Sequence, residues 1–196
     1  MTVSTTEPVA VDRTSVTSSD GADFSWLGNS PDIAALLTTT QRVAQAHTRA
    51  PVLLVGEPGL RKDRIASFIH QISGRRGLFA EISLEGAEPG THARKLFGYT
   101  SSKRDIVAGT LFLARGGTAY IGQLHLADSD AVRGLRRLLT DRTLLTADEQ
   151  PHRGPLPNVV ASCLPASCHS GFPLELLTTL AWIPMHVSEA NTHNLF

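Results

Sequence analysis

The chain has 196 residues, 41% hydrophobic and 18% charged, with 18 Lys+Arg against 18 Asp+Glu. That length builds one ordinary core, and the length prior favours a single domain. The balanced charge gives no overall basic footprint for nucleic acid and no acidic tail, although a local basic cluster is compatible with it.

Residues 1–23 are rich in Thr, Ser, Val and Asp without periodicity. Such a segment cannot bury enough apolar surface to offset its ordering entropy, so it reads as a flexible leader. The domain is expected over residues 24–190, anchored first by Phe24, Trp26 and Leu27, with a short tail at 191–196. Ser30-Pro31-Asp32 is a helix start: a capping hydroxyl, a proline at the first helical position and an acid favoured by the dipole. Ile33, Leu36, Leu37, Val43 and Ala44 follow at helical spacing.

After Pro51, Val52 to Val55 is a short, wholly apolar run of the kind buried in a parallel sheet. The next helix is expected from about Asp63 to Ile72, with Ile65, Phe68, Ile69 and Ile72 on one face. A turn at Gly74–Gly77 precedes a second strand, Leu78 to Leu84. Gly116-Gly117 introduces a third, Thr118 to Ile121. Asp128 to about Thr140 reads as a helix with Val132, Leu135, Leu138 and Leu139 inward. Pro157 to Ser162 gives a fourth strand, Leu174 to Leu180 a short helix and Trp182 to Val187 a fifth strand. Strands alternating with helices predict a parallel sheet covered on both faces.

Between the first strand and its helix lies Gly56-Glu57-Pro58-Gly59-Leu60-Arg61-Lys62-Asp63. A loop that leaves a buried strand and opens a helix resembles a P-loop, where backbone N–H groups and a lysine cradle phosphates. Gly56 and Lys62 keep the spacing of the first glycine to the lysine. Arg61 stands in the second glycine's place, and Asp63 where a Ser or Thr would hold magnesium.

From about Leu27 to Val187 the ordered motifs resemble the sigma-54-interaction AAA+ domain of bacterial enhancer-binding transcription activators. Leu27-Gly28-Asn29-Ser30-Pro31 resembles the family's "(I/L)-G-x-S-x" entry to its first helix, and Val52 to Lys62 its "V-L-I-x-G-E-S-G-T-G-K". Ile65 to Ser73 resembles "A-R-A-I-H-x-x-S", followed by Arg75 and Arg76 in its "R-R" and Phe79 in its "P-F". Lys95-Leu96-Phe97-Gly98 resembles "E-L-F-G-H". Gly109 to Ile121 resembles "G-x-F-E-x-A-x-G-G-T-L-F-L", with Ala114, Gly116, Gly117 and Thr118 identical. Leu135 to Leu139 fits "K-L-L-R-V-L", and Phe172 to Val187 fits "F-R-x-D-L-Y-Y-R-L-x-x-x-P-I-x-L". The resemblance implies an α/β, P-loop NTPase-like three-layer sandwich with a five-stranded parallel sheet. The sequence ends at Phe196, where the family continues into a helical lid and commonly a DNA-binding helix-turn-helix, so neither is expected.

The departures from the family pattern fall on the chemistry. Its third strand ends in an Asp-Glu pair that supports magnesium and polarises water, and here those positions are Gly122 and Gln123. Its fourth-strand Thr-Asn sensor reads Ser162-Cys163, and its two arginine fingers align with Pro173 and Thr179. The sigma-gripping "G-A-F-T-G-A" loop belongs between Gly98 and Gly109, an interval several residues short here, running Tyr99 to Ala108.

Metal-assisted hydrolysis of ATP is therefore not expected, and no catalytic or metal-binding residue is assigned. The eight-residue loop from Gly56 to Asp63 is left with two readings. Either it is a relic that joins strand to helix, or it binds ATP, GTP or a cyclic dinucleotide without metal and without hydrolysis. Lys62 offers phosphate a charge and Arg61 a bidentate fork, whereas Asp63 repels phosphate and Pro58 removes an N–H.

The expected role is regulation by protein contact, in transcription or secretion. The partner is a full-length AAA+ activator or a regulatory complex, with no direct DNA binding and no membrane. Arg133, Arg136, Arg137 and Arg142 read first as a solvated face, with a docking surface for an acidic partner as the alternative. Cys163 and Cys168, beside His169, are too few for a disulfide framework and match no two-pair zinc spacing, so they read as packed or exposed thiols. No run approaches the ~18 apolar residues of a membrane span and the N-terminus is not a secretory signal, so a cytoplasmic location is the default.

Overall fold

The protein was analysed as a computed structural model that describes residues 15–17, 35, 38–42, 50–88, 90–102, 105–170 and 172–184. The helix expected after Ser30 is represented by its helical residues 35 and 38–42 (α1), and its capping segment lies outside the described residues. The remaining elements are β1 (Ser15–Thr17), β2 (Val52–Val55), α2 (Lys62–Ile72), β3 (Phe79–Ser83), α3 (His92–Phe97), β4 (Gly98–Thr100) and β5 (Ile106–Ala108). They continue with α4 (Thr110–Leu113), β6 (Thr118–Gly122), α5 (Ser129–Thr140), β7 (Asn158–Cys163), α6 (Pro165–Ser170), α7 (Leu174–Leu177) and β8 (Ala181–Pro184).

The main sheet has the order β1-β3-β6-β7-β2-β8. Its last five strands are mutually parallel, as expected. The sixth, β1, runs antiparallel to β3 and comes from the segment read as the leader. Val52, Leu53 and Leu54 are essentially inaccessible, as a strand covered on both faces requires.

Alternation along the strands separates two cores. On one face Leu53, Ala80, Ile82, Ala119, Ile121, Val159 and Ala161 pack with Leu96 and Phe97 of α3, Leu111 of α4, Leu135 and Leu138 of α5 and Leu176 of α7. Val132 and Leu139 are only partly buried against that core. On the other face α2 lies against β3 and β6 and buries Ile65, Ala66, Phe68 and Ile69, while Ile72 is half-buried. Each large apolar side chain so buried contributes about 1.5–3 kcal/mol.

Capping sets the helix limits. Asp128 begins α5 by accepting the Ala131 N–H at 2.8 Å. It also clasps α3, accepting the His92 backbone N–H through Oδ2 while its own N–H donates to His92 Nδ1, each at 3.2 Å. α2 ends where Ser73 N–H donates to Ile69 O and His70 O, and Gly74 then turns left-handed at φ 64°.

The interval expected to carry a shortened sigma loop begins and ends in an antiparallel pair of strands, with Gly98 opposite Ala108 and Thr100 opposite Ile106. A second turn, bridged by Leu145 and Pro151, is stitched to it. Ala147 N–H donates to Gly98 O at 2.8 Å, and Thr100 N–H donates to the Asp148 carboxylate. The basic stretch on α5 is exposed at Arg133 and Arg136, but Arg133 pairs with Asp130 and Arg137 with Glu149.

One expectation is corrected. Cys163, read as a thiol, is buried and disulfide-bonded, and the sequence holds one other cysteine, Cys168. Counting cysteines tests for a multi-bridge framework and is blind to a single bridge.

Candidate functional site

The loop from Gly56 to Asp63 leaves the carboxyl end of β2, between β7 and β8, and opens α2. Gly56 is buried beside the end of β7, its N–H donating to Cys163 O at 3.3 Å. Glu57, Pro58 and Gly59 are exposed, and Leu60 is 8% exposed and anchors the loop to the body. Gly59 (φ 82°) and Arg61 (φ 41°) are both left-handed. The second glycine's place thus demands the conformation that glycine adopts freely, and the arginine there carries backbone strain of order 1 kcal/mol.

The charged side chains of the loop bond to the chain itself. Lys62 Nζ donates to Gly56 O at 2.8 Å and to Glu57 O at 2.6 Å. The ammonium is therefore folded onto its own loop, and burial holds its pKa below the ordinary lysine value against the pull of Glu57 and Asp63. Arg61 donates to Asp63 from Nη2 (2.8 Å to Oδ2) and from Nε (3.2 Å to Oδ1). Burial raises the Asp63 pKa, but the Arg61 hydrogen bond and charge outweigh it and hold the carboxylate below its usual range. The sequence pointed to an Arg61 fork facing phosphate and an Asp63 charge repelling it, but the two groups satisfy each other instead.

Gly122 and Gln123 fall at the carboxyl end of β6, where the family resemblance put them. Gln123 is left-handed (φ 59°) and its amide Nε2 donates to Glu85 Oε2 at 3.0 Å. Its backbone N–H donates to Ser162 Oγ at 3.4 Å. Ser162, at the end of β7, shares a further 2.9 Å hydrogen bond with the Tyr120 hydroxyl. Burial pushes the Tyr120 pKa up to about 12, although the Ser162 hydrogen bond opposes it. Pro173 and Thr179 flank α7, where the Pro173 carbonyl accepts Leu176 N–H and the Thr179 N–H donates to Leu176 O. Neither supplies a charge.

Two of these partners were missed. Tyr120 was visible as a hydroxyl at a strand position where the motif carries Phe, but its Ser162 partner is 42 residues away. Glu85 gave no signal. It follows β3 and meets Gln123 only because β3 and β6 are adjacent and in register, Ser83 opposite Gly122. Among the described residues no cluster of three or more His, Cys, Asp or Glu could hold a metal, and no helix is long and apolar enough to cross a membrane.

Comparison with known proteins matches residues 26–152 to the Sigma-54 interaction domain. The chain is 36% identical over 98 residues to the probable regulatory protein HrpS of the Pseudomonas savastanoi pv. phaseolicola pathogenicity locus, which covers 47% of this chain and 32% of that protein. It is 29% identical over 110 residues to a Nif-specific regulatory protein of Azorhizobium caulinodans, covering 54% of this chain and 18% of the relative. The chain thus spans a third or less of these relatives. Among solved structures, NtrX from Brucella abortus superposes with a TM-score of 0.74 at 21% identity, over 85% of this chain and 39% of NtrX. The ATP complex of the same protein gives 0.66 at 23% identity, over 81% of this chain and 37% of NtrX. At that identity the likeness establishes the fold, an α/β P-loop NTPase-like domain.

Proposed function

Given that the chain belongs to the Sigma-54 interaction domain family, we propose that it is a catalytically inactive member that regulates by binding another protein. One observation carries this reading: the polar groups left at the nucleotide position are bonded within the chain. Lys62 is taken by loop carbonyls, Arg61 by Asp63, Gln123 by Glu85 and Ser162 by Tyr120. A phosphate would have to break the Lys62 bonds and approach the Asp63 charge. Hydrolysis would further need metal and water-positioning carboxylates, which Gly122 and Gln123 do not supply.

The partner in this reading is a related full-length AAA+ activator, or a component of a transcription or secretion regulatory complex. The fold motifs support it, since they are kept while the catalytic positions are replaced. Purified protein is expected to show no magnesium-dependent ATP hydrolysis and to retain an activator-type ATPase in affinity purification from its native cells. ATP turnover that disappears in Lys62→Ala would sink the proposal.

A second reading is a nucleotide sensor, favoured by the left-handed turns at Gly59 and Arg61 and by Lys62 at the mouth of the loop. NtrX, of the same fold, is known in complex with ATP and with ADP. Titration calorimetry with ATP, GTP and cyclic dinucleotides separates the readings. Heat with any of them supports the sensor, and silence with all of them removes it.

A further inference from the structure

Helices α3 and α5 pack together and, with the turn from Thr143 to Glu149 as a third wall, enclose a cleft of 240 Å³. Its apolar part is buried Ala93 and Phe97 of α3 with half-buried Leu145 and Ala147 of the turn. This part is built in advance. A Cβ on Gly134 would lie 2.6 Å from Cε2 and Cζ of Phe97, so the bare glycine within α5 is what lets the ring lie against that helix. The turn is held to β4 through Ala147 N–H and the Asp148 carboxylate. Three arginines share the cleft, Arg94 from α3 and Arg133 and Arg137 from α5. Arg94 lies over the Tyr99 ring, 3.8 Å from its centroid, and forms no ion pair among the described residues. Arg133 and Arg137 have Asp130 and Glu149, exposed pairs of the kind that hold a guanidinium only weakly. Arg137 is 37% exposed and Glu149 69%, so the arginine is the enclosed member and the acid faces water. Asp148 is the remaining carboxylate on the rim, and its Oδ2 accepts the Thr100 N–H.

We propose that this cleft docks an acidic segment of a partner protein. One large apolar side chain of that segment sits against Phe97 and Leu145, and the Asp or Glu residues flanking it meet Arg94, Arg133 and Arg137. Size decides against a small molecule: 240 Å³ falls below the roughly 300–1,000 Å³ of ligand and cofactor pockets but accommodates one large side chain. Charge decides the sign of the partner. A guanidinium carries five N–H donors, those of Arg94 are committed to no acid, and converging arginines are the usual reader of acidic motifs. Asp130, Asp148 and Glu149 on the same rim repel a continuous phosphate backbone, whereas the spaced carboxylates of a peptide reach the arginines between them. An aromatic floor beside arginines is also the composition in which binding energy concentrates, and a preformed floor saves the cost of ordering it. The cleft gives the partner-binding reading its contact surface and rests on that reading for its role. ATP turnover and retention of an activator-type ATPase test that reading, and the peptide titration tests the cleft alone.

The probe is a fluorescent octapeptide, Glu-Asp-Glu-Phe-Leu-Asp-Glu-Asp, titrated into the full chain labelled with nitrogen-15. Two companions replace its Phe-Leu by Ala-Ala or all of its acids by Lys. The acidic Phe-Leu peptide should shift the amide signals of Ala93, Phe97, Gly134 and Ala147, and its binding should weaken as salt is raised. Arg94→Glu and Arg133→Glu, both at exposed positions, should each weaken it by about tenfold or more, and so should the Ala-Ala replacement. Arg136→Glu is the control, since Arg136 is exposed on α5 and does not line the cleft. It should bind as the wild type does. Absence of shifts at the cleft with the acidic peptide overturns the proposal. Equal weakening in Arg136→Glu reduces the effect to general charge attraction and overturns it too. Undiminished binding of the Ala-Ala peptide removes the apolar anchor. Tighter binding of the Lys peptide assigns the cleft to Asp148 and its acidic neighbours and overturns the acidic partner.

Discussion

Arg61 and Asp63 grip each other across the first turn of α2, with Nη2 2.8 Å from Oδ2 and Nε 3.2 Å from Oδ1. One side chain occupies the place of a glycine and the other that of a magnesium-binding hydroxyl. Together they form a bidentate pair rather than two separate defects. The pair is about 40% exposed on each side, so its worth is local order more than stability.

Reversing both substitutions tests what the pair blocks. Arg61→Gly with Asp63→Thr relieves the left-handed strain and removes the repelling carboxylate while leaving Lys62 in place. The double variant is expected to bind ATP at least about tenfold more tightly than the wild type, equivalent to about 1.4 kcal/mol. It should still not hydrolyse ATP, because Gly122 and Gln123 supply no carboxylate. Calorimetry and a phosphate-release assay read the two parts separately.

Lys62 is expected to behave as a structural residue. Removing its two bonds to Gly56 O and Glu57 O in Lys62→Ala should cost about 1 kcal/mol and lower Tm by about 2–4 °C. A Tm unchanged in Lys62→Ala, together with loss of nucleotide binding, would instead assign the ammonium to phosphate.

The Tyr120–Ser162 hydrogen bond crosses between β6 and β7 in a buried setting. Ser162→Ala strands the tyrosine hydroxyl and should destabilise by about 1–3 kcal/mol, whereas adding Tyr120→Phe should recover much of that loss. Urea denaturation of both single variants and the double variant measures the coupling. A coupling near zero would mean that the bond contributes nothing. In the wild type, ultraviolet titration should place Tyr120 at about 12, above the ordinary tyrosine value, for the burial already described.

His70 sets an acid limit. Burial, with Arg75 nearby, holds its pKa below the ordinary 6.5, and its Nδ1 lies 3.1 Å from Thr118 Oγ1. The unfolded chain therefore binds the proton first, and stability present above pH 6.5 is lost as pH falls below it. His125, also depressed by burial although Glu85 opposes it, acts in the same window. Asp63 acts lower, losing its contribution only as pH falls below about 3.8. Urea midpoints should fall between pH 7.5 and 5.5, and by less in His70→Gln. An identical slope in that variant would exonerate His70.

Gly117 explains the paired glycines before β6. A Cβ there would lie 2.1 Å from Leu78 O and 2.5 Å from Gly77 C, both backbone atoms that cannot swing aside. Gly117→Ala should cost more than about 3 kcal/mol and sharply reduce soluble yield. A well-folded variant with wild-type Tm would mean that the crossing of these segments yields easily.

Much of the fold was legible because its signals are local. The apolar run Val52–Val55, the Asp128 cap and the helical spacing of Ile65, Phe68 and Ile69 each act within a few residues of chain, and the observed elements follow them to within one or two residues at most ends. The α2 start shows the limit. The loop spacing placed Arg61 and Asp63 at its mouth, but which group each would bond depends on the left-handed backbone at Arg61.

The sequence by itself determined the α/β order of the elements, the family of the domain and the loss of the chemical groups at Arg61, Asp63, Gly122 and Gln123. These are matters of residue type at short spacing, read without knowing what lies across the sheet. Only the tertiary structure decided that the remaining polar groups bond inward, through Gln123 with Glu85 and Tyr120 with Ser162. It alone placed Ser15–Thr17 on the edge of β3. Those contacts join residues roughly 40 to 60 or more positions apart, and a strand's register, which no local propensity encodes, selects which of them meet.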